Sequence, residues 1–73
     1  MTAIRVVVVD DQALMRAAFR QILSAHGIEV VGEAGTAADA RHRLPAARAD
    51  VALLDVRLPD ASGIELCREM PVL

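Results

Sequence analysis

The sequence predicts an α/β fold, a doubly wound parallel sheet of strand order 2-1-3, on three observations. Runs rich in apolar and β-branched residues recur at residues 4–9, 28–33 and 51–54, two of them without the alternation of a half-solvated strand. Between them the apolar period lengthens to that of a helix. The first and third runs end abruptly in acid, at Asp10-Asp11 and at Asp55. Strands and helices alternating at this spacing form right-handed βαβ units.

Residues 4–9 are the first strand, and Asp10-Asp11 end it. Residues 12–25 form a helix in which Leu14, Ala18, Ile22 and Met15, Phe19, Leu23 stack at i, i+4 on one face. Arg16, Arg20 and Ser24 fall largely on the other, so Leu14 and Ala18 are expected in the core and the arginines in solvent. Gly27 suits the C-cap. The second strand has Ile28, Val30 and Val31 at its heart and is broken by Gly35. Thr36 and Asp39, three apart, resemble a capping box opening a second helix with a thin stripe of Ala37, Ala40 and Leu44. Pro45 is expected to kink or end it, with residues 46–49 continuing a turn. After the third strand, Ser62 is placed to cap a helix over residues 64–70, with Ile64 and Cys67 or Arg68 facing the core. Pro71-Val72-Leu73 reads as the first step into a fourth strand. Without that strand the third is an exposed apolar edge, and the chain is expected to be poorly stable alone or to pair with a second copy.

Composition bounds what such a chain does. Its 73 residues allow one small domain, and 55% hydrophobic with 25% charged residues is a globular balance. Phe19 is the sole aromatic residue, so the core is aliphatic. Net charge is −2 and the arginines are scattered, which argues against a nucleic-acid surface. Cys67 has no partner for a disulfide, and the reducing cytosol is the simplest compartment. The longest strongly apolar run, residues 6–9, falls far short of the roughly 20 residues that span a bilayer, and the N-terminus does not read as a signal peptide. A cytoplasmic protein with no membrane partner is expected. His26 and His42 share no metal-like spacing with Cys67, which argues against zinc.

The chemistry lies at the strand ends. In a sheet of order 2-1-3 the first and third strands are neighbours, so Asp10, Asp11 and Asp55 share the C-terminal edge at the switch point where ligands bind. Carboxylates that close repel one another unless a cation neutralises them, and Mg²⁺ suits a site of few carboxylates completed by waters and phosphate oxygens. Such a site fits phosphoryl transfer with a carboxylate nucleophile. Asp55, alone at its strand tip, is the nucleophile candidate, and the pair Asp10-Asp11 the metal holders. The plainer alternative makes Asp11 a helix cap and Asp55 a turn residue; the conjunction of pair, lone Asp and βα alternation weighs against it.

Val8-Val9-Asp10-Asp11-Gln12 with Leu14-Met15-Arg16, and Leu53-Leu54-Asp55-Val56-Arg57-Leu58-Pro59-Asp60-Ala61-Ser62-Gly63, resemble the receiver domain of bacterial two-component response regulators. With Val30-Val31-Gly32-Glu33-Ala34, the details are most similar to the subfamily with a LuxR/NarL-type output. The resemblance covers the whole chain and implies a flavodoxin-like fold. It also implies that Asp55 is the phosphoacceptor, that Asp11 binds Mg²⁺ directly and Asp10 mainly through water, and that Arg57 offers its backbone carbonyl to the metal. Pro59 and Gly63 would shape the loop beneath the site. The implied phosphodonor is a sensor histidine kinase that docks on the first helix, and the receiver itself catalyses the transfer. DNA would be reached only through an output domain absent from this chain.

Residues 1–73 are then a receiver incomplete at its C-terminal end. Receivers carry five strands; strands four and five, with the family's switch Ser/Thr and its Lys, have no counterpart, and the chain contains no lysine. Only seven residues separate Gly63 from Pro71, which fits a natural abbreviation, residues missing between Met70 and Pro71, or a fragment. A haloacid-dehalogenase-type phosphatase would need a second Asp two residues after Asp55, where Arg57 stands. Gly32 and Gly35 do not complete a dinucleotide-binding G-x-G-x-x-G. The stronger alternative is a non-catalytic receiver fragment acting as an interaction or dimerisation module.

Overall fold

The valine run at the N-terminus is apolar on both faces because both faces are covered. The computed structural model describes residues 3–70; the fourth-strand reading of Pro71-Val72-Leu73 lies outside them. Strand β1 (Arg5–Val9) runs down the centre of a three-stranded sheet, between β2 (Glu29–Ala34) and β3 (Val51–Leu54) and parallel to both. The order β2-β1-β3 is the expected one. Val6, Val7, Val8 and Val9 are all buried, at 4% exposure or less. Between Val6 and Val7 the pairing to β2 slips, so that Val6 faces Val30 while Val7 faces Gly32, and Val31 becomes the extra residue of a bulge.

Among the described residues three helices cover the sheet: α1 (Ala13–Ala25), α2 (Ala37–Ala47) and α3 (Gly63–Glu69). Val7 and Val9 point into a core shared with Ala34, Ala37, Ala40, Leu44, Ala49 and Leu66, so α2 and α3 pack on their face of the sheet. The thin stripe on α2 is thus the centre of the core. Small alanines let that helix lie close to the strands, and Leu44 and Leu66 fill the gap at 1% and 0% exposure.

The ends of the elements have local causes. Helix α1 closes in a Schellman arrangement: the Gly27 N–H bonds the Ser24 carbonyl, the Ile28 N–H bonds the Leu23 carbonyl, and Gly27 takes φ +74°. Thr36 Oγ1 caps α2 by accepting from the Asp39 N–H at 3.1 Å. Pro45 does not end α2; the helix runs two residues further and stops at Arg48 in the left-handed region. The orphaned carbonyls there are bound by Arg5, whose guanidinium reaches Ala47 at 3.0 Å and Arg48 at 3.3 Å. Ser62 caps α3 through the Ile64 N–H.

Two helix faces differ from the sequence reading. Helix α1 has no buried residue; Leu14, placed in the core by periodicity, is 81% exposed, while Arg16 is turned inward. On α3 the inward residues are Gly63 and Leu66, and Ile64, Cys67 and Arg68 are exposed. Helix α1 packs on β2 and β1, and α3 lies beside β3, one edge of the sheet. On its α1 side a cavity of about 270 Å³ is lined by Val8, Phe19, Leu53 and Val56. On its α3 side a groove is lined by Ala52, Leu54, Ile64 and Cys67. An apolar helix residue turns inward only where a neighbour stands to receive it.

Candidate functional site

The sheet carries its acids to one edge, one step beyond the last paired residues. Val9 is in register with Leu54, and the ladder extends by one bond on each strand: the Asp55 N–H donates to the Val9 carbonyl at 2.8 Å, and the Asp10 N–H to the Ala34 carbonyl at 3.0 Å. Asp10, Asp11 and Asp55 each offer a carboxylate oxygen, all within 4.8 Å of one another. Asp10 and Asp55 are half-buried and Asp11 is exposed.

Two of the three carboxylates are aimed by Asx turns. Asp10 Oδ1 accepts from the Gln12 N–H at 2.9 Å, and Asp55 Oδ1 from the Arg57 N–H at 3.2 Å. The N-cap position of α1 belongs to Gln12, without a side-chain cap bond, so Asp11 is not the helix cap that the plainer reading made it. The donor set is all oxygen, partly open to solvent, and crowded enough in like charge to favour a hard divalent cation such as Mg²⁺.

The loop after Asp55 doubles back on itself. Leu58 N–H bonds the Ala61 carbonyl at 3.1 Å and Gly63 N–H bonds the Val56 carbonyl at 2.8 Å, with Pro59 and Asp60 at the tip. Neither bond uses the Arg57 carbonyl. A Cβ at Gly63 would lie 1.9 Å from the Asp55 carbonyl oxygen, so only glycine lets α3 start against the backbone of that residue.

Sequence reasoning did not find two further residues. The Asp60 carboxylate reaches across to α2, where Oδ1 accepts from Ala37 N–H at 2.8 Å and Oδ2 from Ala38 N–H at 3.0 Å. These two bonds hold the Asp60 carboxyl below its ordinary pKa. Arg16 donates from Nη1 to the Asp10 carbonyl and from Nε to Glu33 Oε1 at 3.2 Å. Two unsatisfied N–H groups on α2 could have signalled a missing acceptor; nothing local named Asp60. Farther off, Arg41 of α2 forks onto Glu69 of α3 at 2.7 and 3.3 Å, which raises the pKa of the arginine and lowers that of the glutamate. His26 and His42 are exposed, and Cys67 lies on the α3 groove away from the acids.

Comparison with known proteins agrees with this fold. The pattern of the response regulator receiver domain matches residues 6–72. The DNA-binding transcriptional activator DevR/DosR of Mycobacterium tuberculosis is 53% identical over 68 residues, which are 92% of this chain and 31% of that protein. Among solved structures, the response regulator domain of Thermotoga maritima CheB superposes with a TM-score of 0.85 at 32% identity, covering 96% of this chain and 56% of that one. A LuxR-family two-component response regulator from Aurantimonas gives 0.85 at 31% identity, covering 92% and 49%. The chain therefore spans about a third to a little over half the length of these relatives. Among the described residues no helix is long and apolar enough to cross a membrane.

Proposed function

The chain belongs to the response regulator receiver domain family, and from that premise we propose that it accepts a phosphoryl group on Asp55 from a sensor histidine kinase in the cytoplasm. The observation that carries this reading is the convergence of three carboxylates at the C-terminal ends of β1 and β3. Asp10, Asp11 and Asp55, with the backbone carbonyl of Arg57, would hold Mg²⁺. In support, Asp11 is exposed and accepts no hydrogen bond among the described residues, which suits a direct ligand. Asp10 already spends one oxygen on Gln12, which suits contact through water. When bound, the metal neutralises charge on the transferring group and on the acids.

The chain's own part is to present one oxygen. Arg57 N–H holds Oδ1 of Asp55, which leaves Oδ2 as the attacking atom. As the new O–P bond forms, the N–P bond of the donor phosphohistidine breaks, and its electron pair returns to the imidazole nitrogen, which takes a proton from solvent. The product is an aspartyl-phosphate. The mycobacterial relative is a DNA-binding transcriptional activator, and by analogy the phosphorylated receiver would control a transcription-regulating output domain.

The test is direct. With a small-molecule phosphodonor and Mg²⁺, mass spectrometry should find one base-labile phosphoryl group on Asp55 and none on Asp55→Asn. A folded protein that gains no adduct would sink the proposal. A second reading, an interaction or dimerisation module that needs no phosphorylation, draws on the exposed β3 edge, where Val51 and Leu53 are 46% and 37% accessible.

A further inference from the structure

Helical periodicity sends Arg16 to solvent, yet its side chain is 21% exposed and its guanidinium bridges the ends of two strands. Nη1 donates to the carbonyl of Asp10 at the end of β1. Nε donates to Glu33 on β2, whose other oxygen pairs with Arg20. Gly35 clears the space, since a Cβ there would stand 3.3 Å from Nη1. The carbonyl that Arg16 grips belongs to the peptide joining Asp10 to Asp11. The N–H of Asp10 is bound to Ala34 and its Oδ1 to Gln12. With Arg16 on the carbonyl, Oδ2 is the one polar atom of Asp10 that makes no hydrogen bond among the described residues.

We propose that Arg16 is a positioning residue for cation binding: anchored by Glu33, it fixes the Asp10–Asp11 peptide plane and hence the directions in which both carboxylates leave β1. This rests on the reading that these acids bind Mg²⁺. The competing account is an ordinary, half-buried ion cluster that stabilises α1 against β2. The sign of one measurement separates them. A guanidinium near a cation site repels the cation, so if charge alone mattered, its removal would tighten Mg²⁺ binding. If Arg16 orients the ligands, its removal weakens binding, as loss of outer-shell partners typically does by about 10- to 100-fold.

The experiment titrates Mg²⁺ alone into the wild-type chain, Arg16→Met, Arg16→Lys, Glu33→Gln and the double variant R16M/E33Q, following the amide NMR shifts of Asp10, Asp11 and Asp55. Thermal unfolding without Mg²⁺ is recorded beside it. Arg16→Met should bind Mg²⁺ about tenfold more weakly. Arg16→Lys, which keeps a donor and the charge, should recover part of the loss. Glu33→Gln should weaken binding in the same direction, and the double variant should be no weaker than Arg16→Met, because Glu33 acts through Arg16. Unchanged or tighter binding by Arg16→Met overturns the proposal, as does a loss that Arg16→Lys does not relieve. Should Arg16→Met not fold, wild-type affinity in Glu33→Gln overturns it. No saturable Mg²⁺ response in the wild type overturns the metal reading and this one with it; wild-type binding with an indifferent Arg16→Met overturns this one alone.

Discussion

Asp60 and Ala37 are 23 residues apart in sequence and joined by a 2.8 Å hydrogen bond from the Ala37 N–H to Asp60 Oδ1. With the Ala38 bond to the other oxygen, the tip of the loop that follows Asp55 closes the first turn of α2. The negative carboxylate also meets the positive end of the helix dipole there. Because these bonds lower the Asp60 pKa in the folded state, their stabilisation is complete above the unfolded carboxyl's pKa and disappears as pH falls through the folded value. Asp60→Asn should flatten that part of the acid-range stability curve and lower Tm at neutral pH. Urea unfolding between pH 7 and pH 2 checks it; an unchanged slope refutes it. Glu69, also lowered through Arg41, should keep its own share of the slope.

Gly63→Ala should damage stability and site together. The added Cβ would lie 1.9 Å from the Asp55 carbonyl oxygen and 2.8 Å from its carbon, both of them backbone, so the chain must move. A cost of about 1–3 kcal/mol is expected, with slower phosphorylation at Asp55. Denaturant titration and phosphodonor labelling read the two effects, and a variant as stable as wild type would contradict the geometry.

Leu66→Ala should cost about 2–5 kcal/mol, because the side chain is fully buried beside Leu44. Ile64→Ala, on the same helix at 52% exposure, should cost far less. Equal losses in the two variants would mean that α3 presents a different face to the sheet.

The β3 edge should make the isolated chain associate. Edge strands with exposed apolar side chains recruit other strands, and a lysine on such a strand blocks pairing. Sedimentation should show concentration-dependent self-association that Leu53→Lys reduces. A monodisperse wild-type monomer with a cooperative unfolding transition would refute this.

Period and punctuation made most of the fold legible. The run of four valines read as a doubly covered strand because it is one, and residues 51–54 were bounded correctly between Asp50 and Asp55. Ala37, Ala40 and Leu44 stood out as a buried stripe. The three acids were legible because each sits at or just past a strand end, where a parallel topology gathers them. The missed features are non-local. Leu14 and Ile64 look like core residues on a helical wheel, but a wheel cannot say whether a neighbour exists on that side. Arg16 looks solvated until Glu33 and the Asp10 carbonyl are placed beside it. Pro45 does not stop its helix; two helical residues follow it, and Arg5, from another element, binds the last carbonyl.

The central place of β1 also sets a timetable. The strand is synthesised before both of its neighbours, but its second flank depends on segments made much later; Asp50, which binds the Arg5 N–H, lies 45 residues downstream. At 5–20 residues per second, the ribosome takes roughly 2–9 s to deliver that flank. For that interval Val6–Val9, four consecutive β-formers without a charge, sit in a nascent chain with one side of the strand bare. Arg5 before them and Asp10-Asp11 after them are the nearest charges, and they flank the run as gatekeepers against premature strand pairing. The same two aspartates that gather at the edge of the finished sheet therefore serve the chain before the sheet exists.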